Sequence, residues 1–212
     1  MKLLKKNLLG ILLTLGAFAV AAAMAHRMPD PVPTHWNIHG VADGFTPKPW
    51  GPFVLPLVMT AVLALMVGIG SISPKEAPVE RFSRTYSIIT SATLGFLFVA
   101  TVVTSLAATG APFNLTKVIM ASVGALFVVI GNYMGKFTRN YVMGIRTPWT
   151  LANDEVWLRT HRLGGKVFVI SGLAVIAAVL LGQAHLGVAV LLAAAVIPVI
   201  YSYVVYRKVS SA

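Results

Sequence analysis

Apolar residues follow one another in six long runs along the chain, and short polar stretches separate these runs. A helix needs about 20 apolar residues to cross roughly 30 Å of hydrocarbon. The pattern therefore predicts an all-α, polytopic membrane helix bundle, with a single membrane domain over residues 1–212. The six predicted spans are residues 8–24, 53–72, 86–108, 118–134, 167–181 and 186–206, the fifth being short unless its ends extend.

The positions of Lys and Arg predict the orientation of these spans. Fourteen of the 17 lie in the segments that would share one side of the membrane, and only Arg27, Lys48 and Lys117 lie on the other. Because basic residues are enriched in cytoplasmic loops, both termini are expected in the cytoplasm. The first lysines, the first apolar run and "AMA" before His26 also resemble a secretory signal peptide. We favour a retained helix, because a second span follows closely.

The composition supports a lipid environment and removes the need for a nucleic-acid partner. The chain is 57% hydrophobic and 11% charged, with mean hydropathy +0.82, whereas a soluble domain has about 25% charged residues. The net charge of +11 follows from the topology, so no nucleic-acid partner needs to be invoked. The chain has no cysteine, which excludes disulfides and zinc sites with Cys ligands.

The predicted extracytoplasmic loop, residues 26–52, is rich in proline and aromatic residues. Three prolines in "PDPVP" predict a stiff extended segment, "NIHG" suits a turn, and "ADGF" is a hairpin turn signal. Trp36 and Trp50 suit the headgroup zone. The loop is interpreted as an ordered interfacial cap, and the alternative is a recognition surface. His35 and His39 are spaced like a ligand pair, but without a clear helix a hydrogen-bonded His is favoured over metal.

The predicted cytoplasmic loop, residues 135–166, contains a short amphipathic helix. Asn153 is placed to cap it, with Asp154 and Glu155 in its first turn, and Gly164 and Gly165 are expected to end it. The first interpretation is an interfacial helix with Trp157 among the headgroups. The second is a docking or active surface. Its parts would be Arg146, Trp149, Trp157, Thr160 and His161.

The chain shows none of the common enzyme motifs. GxSxG, Walker and HExxH sequences are all missing from it, so no enzymatic activity and no cofactor are predicted. The predicted spans also contain no Asp, Glu, Lys, Arg or His. Because ionisable residues inside spans mark ion pathways, this argues against a proton-coupled transporter.

The two loops carry a family resemblance. "MPDPVPTHWNIHGVADG" resembles the DUF1648 region, while "GNYM", "GIRTPWTL" and "VWLRTHRLGGK" resemble the core of SdpI-type bacterial immunity proteins. The resemblance covers residues 25–182. It maps the outer motif onto Pro31, His35, Trp36, Gly40, Asp43 and Gly44. The inner motif maps onto Asn132, Tyr133, Arg146, Thr147, Pro148, Trp149, Trp157, Thr160, His161, Gly164 and Gly165.

The resemblance implies a multi-pass cell-membrane protein that protects against a secreted antimicrobial peptide toxin and recruits a cytoplasmic transcriptional repressor. Membrane lipids are further expected partners. Toxin recognition is expected at His35, Trp36, His39 and Asp43. Signalling is expected at Arg146, Trp149, Trp157, Thr160, His161 and Arg162. Two other functions stay open, a small membrane transporter and a metal-dependent membrane enzyme that uses His35 or His161.

Overall fold

The computed structural model describes residues 7–37, 39–71 and 79–210. Within these residues it has seven α-helices, one β-hairpin and two short 3-10 helices, Gly51–Phe53 and Val79–Phe82. The helices are α1 (Leu8–Ala25), α2 (Val54–Ser71), α3 (Ser83–Ala108), α4 (Leu115–Met134), α5 (Pro148–Ala152), α6 (Asp154–Leu180) and α7 (Leu186–Ser210), and the strands are β1 (Val32–Trp36) and β2 (Ala42–Thr46).

The predicted helix bundle is confirmed. In the described part of the chain, six helices are long and apolar enough to cross a membrane, and each corresponds to a predicted span. The fifth span differs most, because α6 begins at Asp154 and absorbs the predicted cytoplasmic helix. The predicted end of the second span, at residue 72, lies outside the described residues, as do the lysines before residue 7.

Helices α4 and α6 pack closely through two pairs of glycines. A Cβ added at Gly131 would lie 2.6 Å from the carbonyl oxygen of Gly165, and one at Gly172 would lie 2.4 Å from that of Gly124. Small residues let helix backbones approach in lipid, where apolar burial gives little drive for association. These two antiparallel contacts therefore fix how α4 and α6 sit together.

Helix α7 packs on α6, and three further long helices form a second packed group. Ala17 of α1, Met59 of α2 and Leu94 of α3 are fully buried against one another. Helix α3 also packs on α4, which joins the two groups. Connections alternate between the ends of the bundle, so the hairpin lies at the end opposite residues 135–153. We call these the hairpin end and the connector end, and residues 135–153 the connector.

The orientation of the bundle can be tested with single cysteines, because the native chain has none. Val41 in the hairpin turn and Tyr141 in the connector are 59% and 54% exposed. With a cytoplasmic connector end, Val41→Cys should react with a membrane-impermeant maleimide in intact cells. Tyr141→Cys should react only after permeabilisation. The reverse pattern would show an inverted bundle.

Candidate functional site

The hairpin is held against the bundle by its first strand. Val32 is 2% exposed and packs with Met28 and Ala108, and a Cβ at Gly51 would lie 2.6 Å from the Cβ of Val32. Lys48 fixes the base of the hairpin, because its Nζ donates a hydrogen bond to the Met28 carbonyl over 2.7 Å. The predicted ordered cap is thus present as a docked hairpin.

The turn of the hairpin lies where "NIHG" predicted it. Asn37 Oδ1 accepts from the backbone N–H groups of His39 and Val41, and Gly40 has φ +77°. Since L side chains rarely adopt this φ, glycine suits the position. The prediction from "ADGF" was wrong, because Ala42–Thr46 form β2. The Asx turn at Asn37 closes the loop before that signal is reached.

His35 and Asp43 face each other across the two strands. The distance from His35 Nδ1 to Asp43 Oδ1 is 2.5 Å, and the side chains are 72% and 45% exposed. The favoured hydrogen-bonded histidine is therefore present, though on the exposed face of the cap. The described residues contain no group of three or more His, Cys, Asp or Glu side chains that could hold a metal. His39 lies apart, against the turn that connects α3 to α4.

Trp36 stands between two cavities at the hairpin end. One, of about 360 Å³, is walled by α4 and by the turn between α6 and α7, and includes Ile119, Met120, His185 and Val188. The other, of about 250 Å³, also contains His39, Phe113 and Asn114. Both can accept side chains of a ligand that approaches from outside the bundle. The larger cavity has mainly apolar walls, with His185 exposed at its rim.

At the opposite end, the connector is folded by its own side chains. Asn140 is fully buried, and its Oδ1 accepts from the N–H groups of Val142 and Met143. Thr147 caps α5 in a capping box with Thr150. Thr150 Oγ1 also donates to the Ile145 carbonyl. These bonds satisfy backbone groups that a buried irregular segment would otherwise leave unpaired.

His161 of α6 binds the connector through its imidazole ring. Its Nε2 accepts from the Ile145 N–H over 3.0 Å, while its Nδ1 lies 2.8 Å from the Trp157 carbonyl oxygen. This pattern requires the neutral ring with the proton on Nδ1. The Trp157 ring stacks on His161 at 4.0 Å. Gly144 has φ +108°, and a Cβ there would lie 2.3 Å from His161 Nε2.

Two predictions about α6 are wrong. Gly164 and Gly165 do not end a helix, because they lie inside α6, buried against Met134 and Gly131. Trp157 does not lie among headgroups, since it is 2% exposed and its Nε1 donates to the Phe137 carbonyl. Glycine is tolerated here because close packing against α4 compensates for its low helix propensity. The predicted Asn153 cap of α6 is confirmed. Glu155 pairs with Arg159 one turn further along the helix, at 2.5 Å.

The predicted signalling residues fall into a buried and an accessible set. Trp157, Thr160 and His161 are buried, so they can position the connector but cannot contact a partner directly. Thr160 Oγ1 has no hydrogen-bond partner among the described atoms. Arg146 and Arg162 are exposed. Trp149 is half-buried and donates from Nε1 to Ser202 Oγ of α7 over 2.8 Å.

Several residues of both ends were missed by sequence reasoning. Ser202 carries no motif signal, and its role depends on a hydrogen bond to Trp149, 53 residues earlier in the chain. Asn140 also lies outside the quoted motifs. His185 was missed because it lies in a short turn without any pattern. The two cavities beside Trp36 arise only when the hairpin, α4 and α7 come together.

His161→Phe should destabilise the protein while keeping the ring stacked on Trp157. The change removes the acceptor of the Ile145 N–H, and leaving a buried donor unpaired costs about 1–3 kcal/mol. Arg159→Gln is the control, because an exposed ion pair contributes roughly 0.3–0.5 kcal/mol. Thermal unfolding in detergent should separate the two variants. Equal unfolding midpoints for the two variants would show that the hydrogen bond between the Ile145 N–H and His161 does not stabilise the protein.

Two protein-family models match this chain, one over the hairpin and one over the connector. Residues 136–202 match the SdpI/YfhL protein family model, and residues 12–60 match the domain of unknown function DUF1648. The region similar to the SdpI/YfhL family therefore follows the region similar to DUF1648 along the chain. The predicted resemblance to the SdpI family is thereby confirmed, and the SdpI/YfhL match runs past the predicted limit at residue 182 into α7.

One curated relative spans nearly the whole chain. It is the Immunity protein SdpI of Bacillus subtilis (strain 168), which is 26% identical over 212 residues, covering 98% of this chain and 99% of the relative. No solved structure matches significantly. With six helices long enough to span, the chain is a multi-pass cell-membrane protein.

Proposed function

We propose that this chain is a membrane immunity protein that protects its cell against a secreted peptide toxin by recognising it at the hairpin end. The observation that carries the proposal is the position of Trp36 between two cavities on a docked hairpin. The similarity to the Immunity protein SdpI of Bacillus subtilis supports the immunity role.

The hairpin end has the properties of a recognition surface. Its frame is ordered by the Asn37 turn, the His35–Asp43 pair and the buried Val32. A frame that is ordered before binding lowers the entropy cost of association. Apolar side chains of a peptide would enter the larger cavity beside Ile119 and Met120. His39 and His185, at the two cavity rims, would meet polar groups of the same peptide.

The test is complementation of a Bacillus subtilis strain that lacks its own SdpI. Cells that express this chain are exposed to the agent against which SdpI confers immunity, and survival is measured against dose. Survival above the empty-vector strain supports the proposal. No gain in survival at normal membrane abundance would exclude protection against that agent.

We further propose that the connector end recruits a cytoplasmic repressor once toxin is bound. A ligand on one side can change the other side only by favouring one conformation of the spans. Trp149 gives a route, because its bond to Ser202 joins the connector to α7, and the turn before α7 borders the larger cavity. Proximity labelling from a connector tag, with and without toxin, tests this. An unchanged set of labelled proteins would exclude recruitment.

Arg146 is the side chain that we propose for partner contact. It is exposed and donates from Nη1 to the Tyr141 carbonyl over 2.5 Å. The exposed guanidinium has further donors, and these suit a carboxylate, which Arg binds through two parallel hydrogen bonds and Lys cannot. Arg146→Lys should therefore reduce labelling of the partner and leave protection largely intact.

A further inference from the structure

A groove of about 480 Å³ lies between α4 and α6 at the connector end. Three glycines, Gly131, Gly135 and Gly165, are part of its lining, and the two helix backbones come close at Gly131 and Gly165. The walls are Asn132, Arg162, Lys166, Val169 and Ile170. The groove therefore has an amide and two cations on one part of its wall and apolar side chains on the other.

The two cations of the groove differ from three basic residues that lie near them on the connector and on α6. Arg139 pairs with Asp154, Arg159 pairs with Glu155, and Lys136 lies over the Tyr133 ring at 4.5 Å. By contrast, Arg162 and Lys166 make no ion pair with any described residue. They are four residues apart on α6, so they face the same direction. The groove thus holds two positive charges that the described protein does not neutralise.

The lining of the groove changes from charged to apolar side chains along α6, from Arg162 and Lys166 to Val169 and Ile170. Val169 and Ile170 follow Lys166 within about 6 Å along the helix axis, and Ile170 is 67% exposed. Asn132 donates to the Val128 carbonyl. Its Oδ1 accepts no hydrogen bond from a described residue. An amphiphile with an anionic head, a hydroxyl-bearing headgroup and an apolar chain matches this order.

We propose that this groove binds an anionic phospholipid. The phosphate lies between Arg162 and Lys166, a headgroup hydroxyl donates to Asn132 Oδ1, and an acyl chain runs along Val169 and Ile170. The charge complementarity selects an anion. The apolar wall on a spanning helix selects a lipid over an acidic protein segment, which would leave Val169 and Ile170 without a partner.

The test measures lipid binding by the purified full-length chain in neutral detergent, using native mass spectrometry. The probes are phosphatidylglycerol, phosphatidylcholine and inorganic phosphate. We expect retention of phosphatidylglycerol over phosphatidylcholine, and little effect of inorganic phosphate as a competitor. The double variant Arg162→Gln/Lys166→Gln should bind phosphatidylglycerol roughly 30-fold more weakly, since each charge near lipid contributes about 1 kcal/mol.

The matched control is Lys136→Gln/Arg159→Gln, which removes two exposed charges from the same end. It should retain binding close to that of the unchanged chain. Equal losses in both double variants would show a diffuse charge effect and overturn the proposal. Competition by inorganic phosphate at the same concentration would assign the site to a free anion. Displacement of the lipid by a polyglutamate peptide would assign it to an acidic protein.

Discussion

Gly131→Val is expected to separate α4 from α6 and to cost at least about 3 kcal/mol of stability, at the upper end of the usual cost of overpacking. The new Cβ would meet the Gly165 carbonyl oxygen at 2.6 Å and the Val169 backbone N at 2.8 Å. Both are backbone atoms, so no side chain can turn away and one helix must move. Thermal unfolding in detergent is the measurement.

Gly95→Val is the matched control for this change. It introduces the same side chain into another apolar helix, α3, where a Cβ at Gly95 meets nothing within 4 Å. Its unfolding midpoint should stay close to that of the unchanged protein. If both valine variants unfolded at the same temperature, the close glycine contact between α4 and α6 would not be a main source of stability.

Trp36→Ala is expected to abolish most of the protection while leaving membrane abundance unchanged. Trp36 contributes a wall to both cavities at the hairpin end, and removing a central aromatic anchor costs 2 kcal/mol or more. That loss corresponds to a dose for half survival about 30-fold lower. Dose–survival curves of complemented cells, together with quantification of the tagged chain in membranes, provide the measurement.

Trp50→Ala serves as the control at the same end of the molecule. Trp50 is 66% exposed and lines neither cavity beside Trp36. Its removal should leave protection nearly unchanged. Full protection by Trp36→Ala at normal abundance would place toxin recognition away from these cavities. Loss of protection in both variants would indicate that the two tryptophans act by contacting the membrane and not by lining a toxin-binding cavity.

The spans and the caps could be predicted from the sequence because their causes are local. Apolar runs of sufficient length define helices in lipid, and Asn153 marks the start of α6 through its own side chain. Asn37 and Gly40 likewise define the turn of the hairpin. In each case the residues that carry the signal are within a few positions of the feature.

The wrongly predicted helix end at Gly164 and Gly165 shows which features cannot be predicted from local sequence signals. Two adjacent glycines normally favour a helix end, but Gly164 and Gly165 pack against α4, a contact 34 residues away for the Gly131–Gly165 pair. The burial of Trp157 has the same cause, since its indole N–H finds the Phe137 carbonyl 20 residues earlier. Such contacts depend on the bundle, and a linear pattern does not encode them visibly.

The central claim is that toxin is recognised at the hairpin end, in the cavity bounded by Trp36, α4 and the turn before α7. His185 lies exposed on the rim of that cavity, and Gln183 lies exposed on the same turn but not in its lining. The native chain has no cysteine, so His185→Cys and Gln183→Cys each provide one attachment point. Both variants are first shown to protect cells before modification.

The decisive measurement is the survival of intact cells after these cysteines are modified with a bulky, membrane-impermeant maleimide. The account predicts that modified His185→Cys loses protection against the toxin, whereas modified Gln183→Cys keeps it. Undiminished protection by fully modified His185→Cys would contradict recognition in this cavity.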